Sequence, residues 1–135
     1  MNRFNRPAVW QANMPQKAGA GDGFLAMPKR TNNATDANFT IPVSTIVSGI
    51  YSRSGTNTSR TDTFDTAANI AAALEGMNIG DTYLMALVNL TGTNAITLGA
   101  GAGNTLAGFT TVPANTTRWA LFEKTAAEAF TIFIF

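Results

Sequence analysis

The chain contains no cysteine and no histidine. The first absence excludes disulfides, thiolate catalysis and Cys-based metal sites. The second removes the usual general base, the commonest metal ligand and the usual pH switch. Charge is scarce as well: 13% of the 135 residues are Asp, Glu, Lys or Arg, about half the usual share of about 25%. No segment reaches the ~18 apolar residues that a membrane span needs. The opening MNRFNRPAVWQANMPQK lacks the continuous apolar run of a signal peptide. Synthesis in the cytoplasm is therefore expected. The sequons at Asn33, Asn38, Asn57, Asn89 and Asn115 then reflect Asn/Thr richness and imply no glycosylation.

What remains is apolar and neutral. Hydrophobic residues make up 45% of the chain, enough for a real core in one domain of this length. Thr and Asn supply most of the polarity. That composition points to a β-rich protein with a neutral surface, suited to broad packing against other proteins because few charges need desolvating. The charges are unevenly placed. Residues 1–30 hold five basic groups (Arg3, Arg6, Lys17, Lys29, Arg30) against Asp22 alone, a net +4, while the remainder holds four basic and seven acidic groups, a net −3. A basic head can meet nucleic acid, but five charges spread over thirty residues suit an acidic protein surface better.

Residues 1–42 read as an extended, irregular N-terminal arm. Pro7, Pro15, Pro28 and Pro42 recur, with Gly19, Gly21 and Gly23 between them, and proline resists both helix interior and strand ladder. Yet the segment holds Phe4, Val9, Trp10, Met14, Phe24, Leu25, Met27 and Phe39, which disordered tails usually lack. Such an arm reads as a partner-contacting segment that orders on its partner, in preference to one that wraps its own domain.

Residues 43–135 read as the body. Ile46–Arg53 (IVSGIYSR) predicts a strand with Gly49 as a possible bulge. SGTNTSRT is a turn-rich loop. Asp65 as N-cap, Ala67, Ile70, Ala71 and Leu74 at helical spacing, and Gly76 as stop predict one short helix. Asp62, Asp65 and Glu75 read as its capping and solvated acids. Ile79–Leu90 is a turn and then a strand apolar on both faces, which belongs in mid-sheet. Ile96 and Leu98 share one face of a half-buried strand. Arg118–Lys124 (RWALFEK) sets Trp119 and Leu121 opposite Ala120 and Phe122. In FTIFIF, Phe130, Ile132 and Ile134 face one way, Phe133 and Phe135 the other. A terminal strand this apolar must be buried in the sheet or at a subunit contact. The predicted fold is mainly β: an antiparallel, jelly-roll-like β-sandwich with one short α-helix.

ITLGAGAGNTLAGF, Ile96–Phe109, has the look of a phosphate cradle. Such a cradle needs a strand, glycines and then a helix whose N-terminus meets the phosphate. Here β-formers, Gly108 and Pro113 follow, and no lysine lies between Lys29 and Lys124. The glycines therefore read as a turn between strands. Other catalytic patterns are equally thin. Asp62/Asp65 and Glu123/Glu128 are acidic pairs with no candidate partner nearby in sequence. Serines occur without G-x-S-x-G or His. Trp10, Trp119 and Tyr83 can stack on sugars, although strand aromatics are more often core. Structure or binding, not catalysis, is expected, with no cofactor, metal or small-molecule substrate.

The order strand, Ala-rich helix (Thr66–Leu74), then GDTYLMALVNLTGTNAITLGAGAGNTLAGFTTVPANTTRWALFEKT resembles small virion proteins of tailed phages, the capsid decoration (cement) proteins. The likeness covers about Gly49–Phe135. It implies a non-enzymatic, β-rich homotrimer on the capsid exterior that bridges neighbouring major capsid protein subunits through an extended arm. Here Arg3, Phe4, Arg6, Trp10, Met14, Lys17, Phe24, Leu25, Lys29 and Arg30 would contact the capsid, and Phe130, Ile132, Phe133, Ile134 and Phe135 would be core or subunit contacts. No nucleic acid or membrane enters that picture. Similar Gly/Thr-rich motifs recur in tail-fibre modules, so a trimeric receptor-binding module for host glycans is the alternative. A small hydrolase is the third class, and it needs two carboxylates about 5–10 Å apart in a cleft.

Overall fold

A computed structural model describes residues 27–135. The chain first winds through three successive coils. Strand β1 (Lys29–Asn33) leads to β2 (Phe39–Ile41) and helix α1 (Val43–Ser48). Strand β3 (Gly49–Arg53) leads to β4 (Arg60–Phe64) and helix α2 (Ala67–Ala73). Strand β5 (Thr82–Asn89) leads to β6 (Ile96–Gly99). In every coil the first strand joins one sheet and the second strand the other. Strands β1, β3 and β5 run parallel, as do β2, β4 and β6. Between the second and third coils the offset is 36 residues in both sheets, with Ile50 beside Ala86 and Arg60 beside Ile96.

The later strands close the structure. They are β7 (Asn104–Gly108), β8 (Thr111–Val112), β9 (Thr116–Ala126) and β10 (Ala129–Ile134). Strand β9 lies antiparallel between β5 and β10, β10 pairs parallel with β7, and β8 pairs antiparallel with β6. The sheet orders are β1-β3-β5-β9-β10-β7 and β2-β4-β6-β8.

The mainly β, two-sheet architecture agrees with the sequence reading. The pairing is mixed, however. Antiparallel ladders hold β5 to β9, β9 to β10 and β6 to β8, while the coils pair in parallel. Local periodicity reports which face is buried but not strand direction. Direction is set by the crossover, and a chain that returns to the same end of a sheet must pair in parallel.

The first residues of the fold also differ from the irregular arm read over 1–42. Residues 29–33 and 39–41 are strands of the two sheets. Lys29–Asn33 (KRTNN) has no apolar alternation because it is an edge strand exposed along most of its length. Its conformation comes from pairing with β3, twenty residues on (Lys29 beside Gly49). The strand expected at Ile46–Arg53 begins only at Gly49. Val43–Ser48 is helical, bracketed by Pro42 at its N-cap and by Gly49, whose φ of 96° places it in the left-handed region as a C-terminal stop. The β-branched residues there disfavour a helix slightly. Burial of Ile46 (0% exposed) in the core outweighs that preference. Helix α2 starts one residue later than expected: Thr66 is its N-cap and accepts from Asn69 N–H.

The core lies between the sheets. From the larger sheet come Tyr51, Met85, Leu87, Ala120, Phe122, Phe130, Ile132 and Ile134. From the smaller sheet come Ile41, Phe64, Ile96, Leu98 and Val112. Ile46, Ala67 and Ile70 enter from the helices. Phe122 sits at its centre, edge-on to Phe64 at 5.2 Å and to Phe130 at 6.4 Å, separations at which aromatic pairs attract.

Candidate interaction surface

The glycine-rich stretch has a structural task. The backbone N–H of Ala67, at the start of α2, donates to the Ala102 carbonyl at 2.8 Å. The group that would greet a phosphate is thus already taken by the loop itself. Gly101 has φ 81°, and a Cβ there would lie 2.2 Å from the Phe64 carbonyl oxygen. Asn104 ties the loop down by donating to the carbonyls of Asp65 and Ala100. Glycine is needed for backbone-to-backbone approach, not for ligand access.

The acidic residues are also spoken for. Asp62, expected to be solvated, is fully buried. It faces inward from β4, with Oδ1 3.1 Å from Arg53 Nη1. Tyr51 Oη donates to Asp62 Oδ2 at 2.7 Å, and Asn33 Nδ2 donates to Tyr51 Oη at 3.3 Å. Arg53 also donates to the Ala37 carbonyl. Burial pushes the Asp62 carboxyl up, against the Tyr51 hydrogen bond and the Arg53 charge, and pushes the Tyr51 hydroxyl up as well. The adjoining cavity measures about 10 Å³, room for one water at most. This quartet links three strands and a loop inside the core and has no access for a substrate. Asp65 points elsewhere. Burial raises its carboxyl, but hydrogen bonds from Asn69, Thr66 N–H and Val43 N–H outweigh that and hold it below its ordinary 3.8. Among the described residues no three of Asp, Glu, His or Cys gather as a metal site, and no helix is long and apolar enough to cross a membrane.

The distinctive surface is the outer face of the larger sheet. Register places its side chains in rows across the strands. One row runs Ile50, Ala86, Trp119, where Trp119 and Phe135 exchange backbone hydrogen bonds. The next runs Leu84, Leu121, Phe133, Ala107. Neither row holds a charge between β3 and β7. A polar row flanks them on one side (Thr82, Glu123, Thr131 and Thr105), and a mixed row, Ser52, Val88 and Thr117, on the other. Leu84 is 47% exposed, Trp119 44%, Phe133 38% and Phe135 56%. At 150–250 Å² per aromatic side chain, these four present on the order of 350 Å² of apolar surface. Patches of that size on a single chain commonly mark a binding face, and an apolar centre inside a polar rim is how protein interfaces are built.

The sequence-derived candidates divide cleanly in the last strand. Phe130, Ile132 and Ile134 are core, at most 2% exposed, while Phe133 and Phe135 stand on the outer face. Lys29 and Arg30 lie on β1 at the edge of that sheet, and Arg30 Nη1 donates to Ser52 Oγ at 2.8 Å. Arg3, Phe4, Arg6, Trp10, Met14, Lys17, Phe24 and Leu25 lie outside the described residues. The two-row patch itself was not assembled from sequence. Its signal was there in the second apolar face of Leu84–Val88 and in Trp119/Leu121, but only the register joins them to Phe133 and Phe135. Comparison with protein-family models, curated proteins and solved structures finds no match for the chain.

Proposed function

We propose that this chain is a structural virion protein of the capsid-decoration kind. It docks on the exterior of a phage head, bridges neighbouring major capsid protein subunits and works as a homotrimer without catalysis. The observation that carries this reading is the pair of uncharged rows between β3 and β7 on the outer face of the larger sheet, with Leu84, Trp119, Phe133 and Phe135 exposed. A surface of this kind fits protein, since aromatic anchors are common interface hot spots. The basic groups of residues 1–30 suit an acidic capsid surface, and the resemblance of Gly49–Phe135 to cement proteins supplies the partner.

The test is co-sedimentation of the purified protein with empty phage heads. Saturable binding is expected, weakened at least tenfold by Phe133→Ser/Phe135→Ser. Full occupancy by that double variant, and by a chain starting at Met27, counts against the reading. A second reading, a trimeric tail-fibre module for host glycans, draws on the half-exposed Trp119 ring. Binding to host cells but not to heads, lost in Trp119→Ala, favours it.

A further inference from the structure

At the β1 corner of the outer face the apolar surface deepens into a cleft of about 440 Å³. Met27, Val47, Ile50, Leu84, Ala86 and Trp119 form its walls, and no charged side chain lines it. We infer that this cleft is the anchor pocket of the docking face: it takes a bulky apolar side chain, aromatic or branched, projecting from the protein on which this chain docks. The inference deepens the docking reading and rests on it for the identity of the partner.

Continuity and area place the anchor here. Leu84 and Trp119 belong both to the exposed rows and to the cleft walls, so a partner laid on the rows covers the mouth of the cleft. The four exposed side chains of the rows present on the order of 350 Å² of apolar surface, less than half of the roughly 800 Å² per partner in a standard interface. A face that small gains affinity by seating an anchor in a desolvated pocket. Polar chemistry selects the occupant. The Tyr83 hydroxyl donates to the carbonyls of Val47 at 2.8 Å and Ile46 at 3.0 Å, and the Ser48 hydroxyl donates to the Ser44 carbonyl at 2.7 Å. Neither has a proton left for a ligand. The indole N–H of Trp119 is then the last side-chain donor among the lining residues. A sugar buried there would leave most of its hydroxyls unpaired, and a charged side chain would find no counter-ion. An apolar side chain loses neither kind of contact.

The test uses the full chain carrying Trp10→Phe, which leaves Trp119 as the sole tryptophan, and butylbenzene as the probe. Saturable binding is expected, read as a blue shift of Trp119 emission and an about twofold fall in the acrylamide quenching constant. Maltotriose at the same concentrations should produce neither. Val47→Glu sets a charge at the rim, at a position 42% exposed on α1. It should abolish probe binding and weaken co-sedimentation with empty heads at least tenfold, with the fold intact by circular dichroism. Phe133→Ser, outside the cleft lining, should bind the probe as the parent does. Failure of the full chain to bind butylbenzene overturns the inference, as does equal protection by maltotriose or full head binding by Val47→Glu. A blue shift that grows with protein concentration in the absence of probe gives the cleft to a second copy and also overturns it. If the parent binds the probe but not heads, the docking reading falls and the apolar selectivity of the cleft stands.

Discussion

Replacing Arg53 by Met tests the buried quartet most sharply. Arg53 is 1% exposed and Asp62 0%, so the variant leaves a carboxylate inside the core with only the Tyr51 hydroxyl for company. Removing one partner of a buried ion pair costs about 3–5 kcal/mol, and the Ala37 carbonyl loses its donor besides. A domain of this size holds roughly 5–15 kcal/mol in total. At about 4 °C per kcal/mol the melting temperature should fall by roughly 12–20 °C. The pH dependence has a definite sign. The Asp62 carboxyl is already raised by burial, and without Arg53 it rises further. A group whose folded pKa exceeds its unfolded value stabilises the fold in its protonated form, so the variant should regain stability as pH falls from 7 toward 5. The double variant Arg53→Met/Asp62→Leu removes both charges and should recover most of the loss, because apolar residues of similar volume often replace a buried pair at little cost. Differential scanning calorimetry across pH reads all three proteins. A drop below about 3 °C for Arg53→Met, or a double variant no more stable than Arg53→Met, refutes the reasoning.

Three further outcomes follow from the same structure. Gly101→Ala meets both a positive φ and a carbonyl 2.2 Å from the new Cβ, and thermal unfolding should show a loss of about 2 kcal/mol or more. Ile132→Ala, at a position 0% exposed, should cost about 2–5 kcal/mol, whereas Phe133→Ser one residue on should change stability by less than about 1 kcal/mol and act on binding instead. Asp65→Asn should be less stable than the parent near neutral pH. Because the parent carboxyl sits below its ordinary 3.8, its contribution is lost as pH falls through the folded value, so the gap should close on acidification in a melting-temperature series.

Alternation made much of the core readable in advance. Ile96 with Leu98, Ala120 with Phe122, and Phe130 with Ile132 and Ile134 are buried as their spacing requires. Strand β5, apolar on both faces, does sit in the middle of its sheet, between β3 and β9. What escaped notice is what depends on distant pairing. Strand β4 (RTDTF) looks like a loop because Asp62 occupies an inward position, and only Arg53 and Tyr51, on β3 of the same coil but in the facing sheet, make that tolerable. Strand β1 is polar and owes its extended form to β3. Helix α1 runs against the preference of its own β-branched residues, held by the burial of Thr45 and Ile46. The candidate surface was half visible: its rows are apolar in the sequence, but their adjacency is a property of register.

The order of the larger sheet also bears on how the chain is made. Strand β7 has β10 as its sheet neighbour, and β5 meets β9 along its second edge. On a ribosome the first three coils can begin to stack while the rest is still being built. At that stage the second edge of β5 and the apolar residues of β7 have nothing to pair with. Only when residues 116–134 emerge do β9 and β10 slot between β5 and β7 and join the two halves. The nascent protein therefore passes through an interval with open strand edges, when a chaperone or a neighbouring nascent chain has its best chance to intervene.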